Sequence, residues 1–249
     1  MVVEHPRSPG DGPSPGSTHV VGVDEAGRGP VIGPLVVAAV AVPVEGGEDR
    51  LREIAVRDSK KLQPARRDRL AGIIIAECTH QVIEVPAEDI DALRATATLN
   101  VIESRLFASA VLGVIGQLEG DARVTAYLDA ADTSETTFER YFRGSLTGSP
   151  GAEAVVGVVS RHEADDTFPV VSAASVLAKT RREEAVARIS EELGEAFGSG
   201  YPSDTKTIDF LEKWIMEKGV LPPHTRSSWK TAQRLLDRHG PQVRKLDDF

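Results

Sequence analysis

With 249 residues and a 41% hydrophobic composition, the chain can bury one substantial core and still carry a small appendage. Its one cysteine, Cys78, excludes an intrachain disulfide, and six scattered histidines without paired ligand spacing argue against a structural zinc site. The formal charge of -9 runs against simple phosphate binding, so a nucleic-acid function would rest on local charge clusters rather than on the total.

Residues 1–17 hold ten Pro, Gly or Ser residues and only three apolar ones, too few to offset the entropy of ordering, and are expected to form a disordered extension. The stretch has no basic flank followed by an apolar run, as a secretion signal would. The longest uncharged stretch, residues 29–44, is broken by prolines and is shorter than the ~20 residues a membrane span needs. A cytoplasmic setting with no membrane partner is the expectation.

Two Val-rich runs, residues 19–23 and 35–42, read as buried strands joined by a Gly-Pro turn. Further strands are predicted at residues 81–85, 124–128 and 154–160. Pro64 suits the first position of a helix running to Glu77. Leu99, Ile102, Leu106, Ala110, Val114 and Leu118 recur at spacings of three and four and mark a long amphipathic helix. Another helix is expected from Pro169 towards Phe197, and a last pair over residues 204–218 and 228–239. Strands dominate the first two thirds and helices the last. The fold class is therefore α/β: a mixed sheet flanked by helices, with a helical C-terminal appendage. The expected organisation is a catalytic domain over residues 18–198, a helical subdomain over 199–240 and a flexible tail over 241–249.

Basic residues cluster at Lys60-Lys61, at Arg66-Arg67 with Arg69, at Lys179 with Arg181-Arg182, and at Arg226 with Lys230. Each is either a phosphate contact or a solvated helix face.

The chemistry concentrates where the first strand ends, in Asp24-Glu25-Ala26-Gly27-Arg28-Gly29-Pro30. Two adjacent carboxylates at the end of a buried strand are costly unless cations compensate them, and hard divalent cations accept such ligands. Neighbouring side chains of a regular strand point to opposite faces, so both acids can meet one metal only where the strand deforms; Gly27 and Gly29 permit that. The alternative is a polar turn with solvated acids. The glycine spacing does not fit a dinucleotide-binding loop, and Pro30 sits inside it. Other strand-end acids follow: Asp129 with Asp132, then Asp165 with Asp166 just before a helix that opens with small residues.

These segments resemble ribonuclease HII, in its archaeal form. The resemblance rests on residues 24–34, Arg57-Asp-Ser-Lys-Lys-Leu62, Asp129-Ala-Ala-Asp132, Ala164-Asp165 with residues 169–179, residues 198–204, and Ser228-Trp-Lys-Thr231; it spans roughly residues 19–232. It implies a ribonuclease H-like fold and a catalytic, metal-binding set of Asp24, Glu25, Asp129 and Asp165. Asp166 departs from the family's usual residue at its position. The implied activity is hydrolysis of RNA paired with DNA, including ribonucleotides embedded in duplex DNA. Two divalent cations, Mg²⁺ or Mn²⁺, would promote in-line displacement leaving 5′-phosphate and 3′-hydroxyl ends. The resemblance assigns sensing of the ribose 2′-hydroxyl to Gly27-Arg28-Gly29, sugar packing to Tyr201, and substrate contacts to Ser59, Lys60 and Lys61. Against it stand two other readings: a scaffold that has lost catalysis, and another nuclease or integrase-type member of the same fold class.

In the last residues, Leu246 and Phe249 lie three apart, a spacing that puts two apolar side chains on one face of a short turn. This is similar to a sliding-clamp-binding tail, although the glutamine usual in such tails would fall at Val243, one position after Gln242.

Overall fold

Every residue of the run Leu35–Val42 is at most 5% exposed, which explains why that stretch is apolar throughout instead of alternating. It lies in the second strand of a sheet covered on both faces. The computed structural model describes residues 11–54 and 64–240. Among these, five strands form one sheet: β1 (His19–Ala26), β2 (Leu35–Pro43), β3 (Thr79–Val85), β4 (Val124–Asp129) and β5 (Val155–Arg161), in the order β3-β2-β1-β4-β5. β1 pairs antiparallel with β2, and β1, β4 and β5 run parallel, so the sheet is mixed as expected.

The helices are α1 (Gly47–Glu53), α2 (Pro64–Glu77), α3 (Ala87–Arg94), α4 (Leu99–Ile115), α5 (Glu135–Leu146), α6 (Ala164–Thr167), α7 (Pro169–Leu193), α8 (Thr205–Lys218) and α9 (Lys230–His239). No single helix among the described residues is long and apolar enough to cross a membrane.

The chain divides into two units. The first comprises residues 1–26, 36–84 and 97–181. Its sheet sorts alternate residues into two cores, as strand geometry requires. Val20, Val36, Ala38, Val40, Val42 and Tyr127 pack with Leu70 and Ile74 of α2 and with Val170–Ala178 of α7. Val21, Val23, Val37, Ala39, Ala126 and Leu128 face Phe107 and Val111 of α4 and Phe138 and Phe142 of α5. The start of α7 lies directly on β1: a Cβ added at Gly22 would overlap the backbone of Val170 and Val171.

Residues 11–17 are not a disordered extension. Asp11 is 4% exposed, and its carbonyl accepts the Tyr127 hydroxyl at 3.0 Å. Its carboxylate meets Arg161 at 2.6 Å, while the Ser14 amide and the Ser17 hydroxyl bond Thr125 Oγ1. These hydrogen bonds offset the ordering cost that so few apolar residues cannot. Residues 1–10 lie outside the described residues.

The second unit comprises residues 27–35, 85–96 and 182–249. It therefore begins before the expected boundary at 199 and draws on two earlier segments. Packing is the reason: Val31 and Ile32 share a core with Ile189, Phe197, Phe210, Leu211, Ile215 and Leu235.

Candidate functional site

Three of the predicted acids meet in the first unit. One carboxylate oxygen from each of Asp24, Asp129 and Asp165 lies within 4.8 Å of the other two, a group that among the described residues contains neither Asp132 nor Asp166. Asp24 and Asp129 arrive there by register. β1 and β4 run parallel with Val23 opposite Leu128, so each acid is the next residue of its strand. Asp165 comes from the one-turn helix α6, entered through Glu163 in the left-handed conformation at φ 53°. The Asp129 carboxylate accepts the amide of Ala164 at 3.2 Å, which fixes β4 to the start of α6.

The strand does not deform before Gly27. Glu25 remains in the ladder opposite Val37, so it alternates to the other face from Asp24 and is not in the three-acid group. It adjoins the group all the same: its amide donates to Asp24 Oδ1 at 2.7 Å, and its charge acts on Asp24.

Asp24 is 4% exposed and Asp165 5%. Burial, then the negative charges of Glu25, Asp129 and Asp165, hold the Asp24 carboxyl well above the usual carboxylate range; a hydrogen bond from Ser175 opposes them. Carboxylates gathered this way repel one another until a cation neutralises them. The donor set is entirely oxygen, which fits a hard divalent cation such as Mg²⁺ or Mn²⁺ and not a zinc site of histidines and thiolates.

Helix α7 supplies Ser175 and Lys179, which the sequence marked only as a small packing residue and as a member of a basic cluster. Ser175, fully buried, donates to Asp24, and Lys179 Nζ stands 3.8 Å from Asp165 Oδ2. Their spacing of four, on the helix that follows Asp165, was the available signal. Asp132 serves elsewhere, accepting hydrogen bonds from Asn100 at 2.6 Å and from Thr133 and the Ser134 amide ahead of α5.

The second unit gathers the predicted sugar-sensing residues. A Cβ at Gly29 would lie 3.5 Å from the Tyr201 ring, so loop 27–29 and this aromatic are neighbours. Gly27, at φ 87°, accepts no side chain, because a Cβ there would overlap the Pro34 carbonyl and Arg182. The Arg182 guanidinium stacks on Tyr201 at 4.9 Å and donates to the Ser199 carbonyl at 2.7 Å.

Two of the basic clusters mix buried and exposed members, Arg181 and Lys230 being exposed. Arg182 is 8% exposed and Arg226 fully buried, while Arg181 pairs with Glu84 at 3.2 Å. Ser59, Lys60, Lys61, Leu246 and Phe249 lie outside the described residues.

Comparison with known proteins fits this geometry. A family model described as Ribonuclease HII matches residues 21–232. A ribonuclease HII of Thermococcus kodakarensis is 45% identical over 220 residues, covering 88% of this chain and 90% of its own. The crystal structure of the ribonuclease H2 from Pyrococcus horikoshii superposes with a TM-score of 0.76 at 35% identity, covering 89% of this chain and 98% of that one. A structure of the PCNA:RNase HII complex from Archaeoglobus fulgidus matches with a TM-score of 0.73 at 39% identity, covering 92% of this chain and all of that one.

Proposed function

The chain belongs to the ribonuclease HII family, metal-dependent endoribonucleases acting on RNA–DNA hybrids, and from that premise we propose that it also cuts at ribonucleotides embedded in duplex DNA, by two-metal-ion hydrolysis. The observation that carries the reading is the convergence of Asp24, Asp129 and Asp165 within 4.8 Å.

Asp24, Asp129 and Asp165 hold the metal, with Glu25 as the adjoining fourth acid. Divalent cations held there would neutralise charge on the phosphodiester and supply a nucleophile at neutral pH; with the P–O3′ bond broken and the 3′-oxygen leaving with a proton, the ends are a 5′-phosphate and a 3′-hydroxyl. Ser175 orients the Asp24 carboxylate by donating to it. Lys179 places a positive charge 3.8 Å from the Asp165 carboxylate.

Substrate choice belongs to Gly27-Arg28-Gly29 and Tyr201. Glycine lets backbone groups reach a sugar closely, and the 2′-hydroxyl is what separates RNA from DNA. The Tyr201 face packs against the sugar beside the ribonucleotide. Lys60 and Lys61 contact the phosphates, and Ser59 is a further substrate contact.

The test is a DNA duplex with one ribonucleotide, incubated with Mg²⁺ or with Mn²⁺, beside an all-RNA strand paired with DNA. Nicking of both duplexes, with 3′-hydroxyl and 5′-phosphate ends, is expected. Cleavage of the hybrid alone removes the embedded-ribonucleotide reading; cleavage undiminished in chelator removes the metal.

The tail adds a partner. The Archaeoglobus fulgidus relative is seen with PCNA, and Leu246 with Phe249 offers an apolar plug for such a clamp. Tethering would raise the enzyme's concentration on DNA without altering its chemistry. A peptide of residues 238–249, titrated calorimetrically against the host's clamp, is expected to bind and to lose binding in Phe249→Ala. No heat at high micromolar peptide removes this partner.

A further inference from the structure

Arg226 is the largest fully buried side chain among the described residues, and its donors converge on one loop. Nε donates to the carbonyl of Gly33 at 3.0 Å, Nη1 to that of Arg28 at 2.9 Å and Nη2 to that of Gly27 at 2.6 Å. Its backbone amide donates to Val31 at 2.8 Å, and its guanidinium lies over the Trp229 ring at 4.8 Å. We propose that Arg226 is a positioning residue that sets 2′-hydroxyl selectivity by holding the carbonyls of Gly27 and Arg28 turned inward. The inference rests on the reading that loop 27–29 meets the sugar.

Peptide geometry gives the reason. In a planar trans peptide the N–H points opposite to the C=O. Drawing the carbonyls of Gly27 and Arg28 onto the guanidinium therefore turns the amides of Arg28 and Gly29 away from it. Two successive donors are aimed by one side chain, in a stretch whose glycines would otherwise let each peptide plane rotate. A lysine cannot reproduce this, because its ammonium is a compact point charge, whereas the guanidinium is a rigid planar fork that spans three separate carbonyls.

The cost of the arrangement points the same way. Burial, and then the nearby Arg182 charge, pushes Arg226 down to about 9, so it remains a cation at neutral pH in a place that disfavours charge. Three carbonyls and an aromatic face replace its water. The segment is pinned just beyond: Asp91 accepts the amides and hydroxyls of Ser227 and Ser228 at 2.5–3.1 Å. Arg94 stacks on the other partner of Arg226, Trp229, at 4.9 Å.

The experiment measures equilibrium binding of the full chain, with Ca²⁺ replacing Mg²⁺ to prevent turnover, to a DNA duplex with one ribonucleotide and to the same duplex without it. Arg226→Lys is expected to lower the ratio of the two affinities about tenfold while affinity for all-DNA duplex stays near wild type. Equal loss on both duplexes, or an unchanged ratio, overturns the proposal. Gly29→Ala, whose new methyl would make only ordinary contact with Tyr201, separates the premise from the inference. A ratio unchanged in Gly29→Ala sinks the sugar-sensing reading of the loop; a ratio lost there but kept in Arg226→Lys sinks the role of Arg226 alone. Should Arg226→Lys not fold, Asp91→Asn decides, since it loosens the segment and leaves the guanidinium: a lowered ratio supports the proposal and an unchanged one overturns it.

Discussion

Asp24 and Asp129 each stand one residue past a paired position of two adjacent parallel strands, Val23 opposite Leu128, so strand register alone brings their carboxylates together. No loop has to close to bring these two of the three acids together. Asp165 is different: it depends on α6, on the left-handed turn at Glu163 and on the helix packed behind it.

Activity and stability should move in opposite directions in Asp24→Asn. Cleavage is expected to fall by at least about a thousandfold, the scale of losing a group that stabilises developing charge. The folded Asp24 carboxyl titrates above its unfolded value, because of burial first and neighbouring acids second. Its neutral form therefore favours the metal-free fold at low pH, and that contribution is lost as pH rises through the raised value. Without metal, variant and wild type should melt alike at acid pH and diverge as pH rises, the variant becoming more stable by on the order of 1 kcal/mol or more, roughly 2–4 °C for a chain of this size. Melting curves in chelator across pH check this; a variant less stable at neutral pH would contradict the repulsion.

Asp129→Asn and Asp165→Asn are expected to lose activity as Asp24→Asn does, whereas Asp132→Asn and Asp166→Asn should stay within about tenfold of wild type. Asp132 ties Asn100 to the segment entering α5, so its removal should cost stability, about 1 kcal/mol, instead of chemistry. Single-turnover rates paired with denaturant melts separate the two outcomes. If Asp166→Asn proved the more severe of its pair, the ligand would be the neighbour of the one assigned.

A methyl at Gly22 has nowhere to go but into the backbone of Val170 and Val171. Gly22→Ala should destabilise by about 1–3 kcal/mol. It should also weaken metal binding, because α7 carries Ser175 and Lys179. Titration of Mg²⁺ followed by thermal shift reads both; unchanged metal affinity would show that α7 does not hold the acids in place.

Tyr201→Ala should lower cleavage at an RNA–DNA junction about tenfold more than cleavage inside an all-RNA strand of a hybrid. The ring is held by Arg182 behind it and neighbours Gly29, so it is rigid enough to read a sugar. A uniform loss on both substrates would make it a packing residue.

What the sequence made legible follows from burial. β1 and β2 are buried on both faces and so read as unbroken Val-rich runs, and α4 shows its period over seventeen residues. The helices α1, α3 and α6 span seven, eight and four residues, too few for a period to stand out. Residues 11–17 were misread because their order comes from Asp11, Ser14 and Ser17 bonding β4 and β5, which composition does not record. Acids near strand ends are conspicuous, but that pattern alone leaves Asp132 beside Asp129 and Asp166 beside Asp165, and the choice between neighbours comes from the family resemblance. Arg182 and Arg226 did not stand out, since nothing in a basic cluster tells a buried guanidinium from a solvated one.

Arg226 reaches back 199 positions to the Gly27 carbonyl, and that separation has a consequence for how the enzyme is born. During synthesis the N-terminal loop leaves the ribosome almost a whole chain before the side chain that shapes it. Domains tend to fold as their residues emerge, and contacts between distant positions form last. The first unit, complete at residue 181, can gather its acids while loop 27–33 still lacks its anchor. A nascent or truncated chain ending before Arg226 would thus carry the acids of a nuclease without the device proposed to tell ribose from deoxyribose, and discrimination would be the last property the protein acquires.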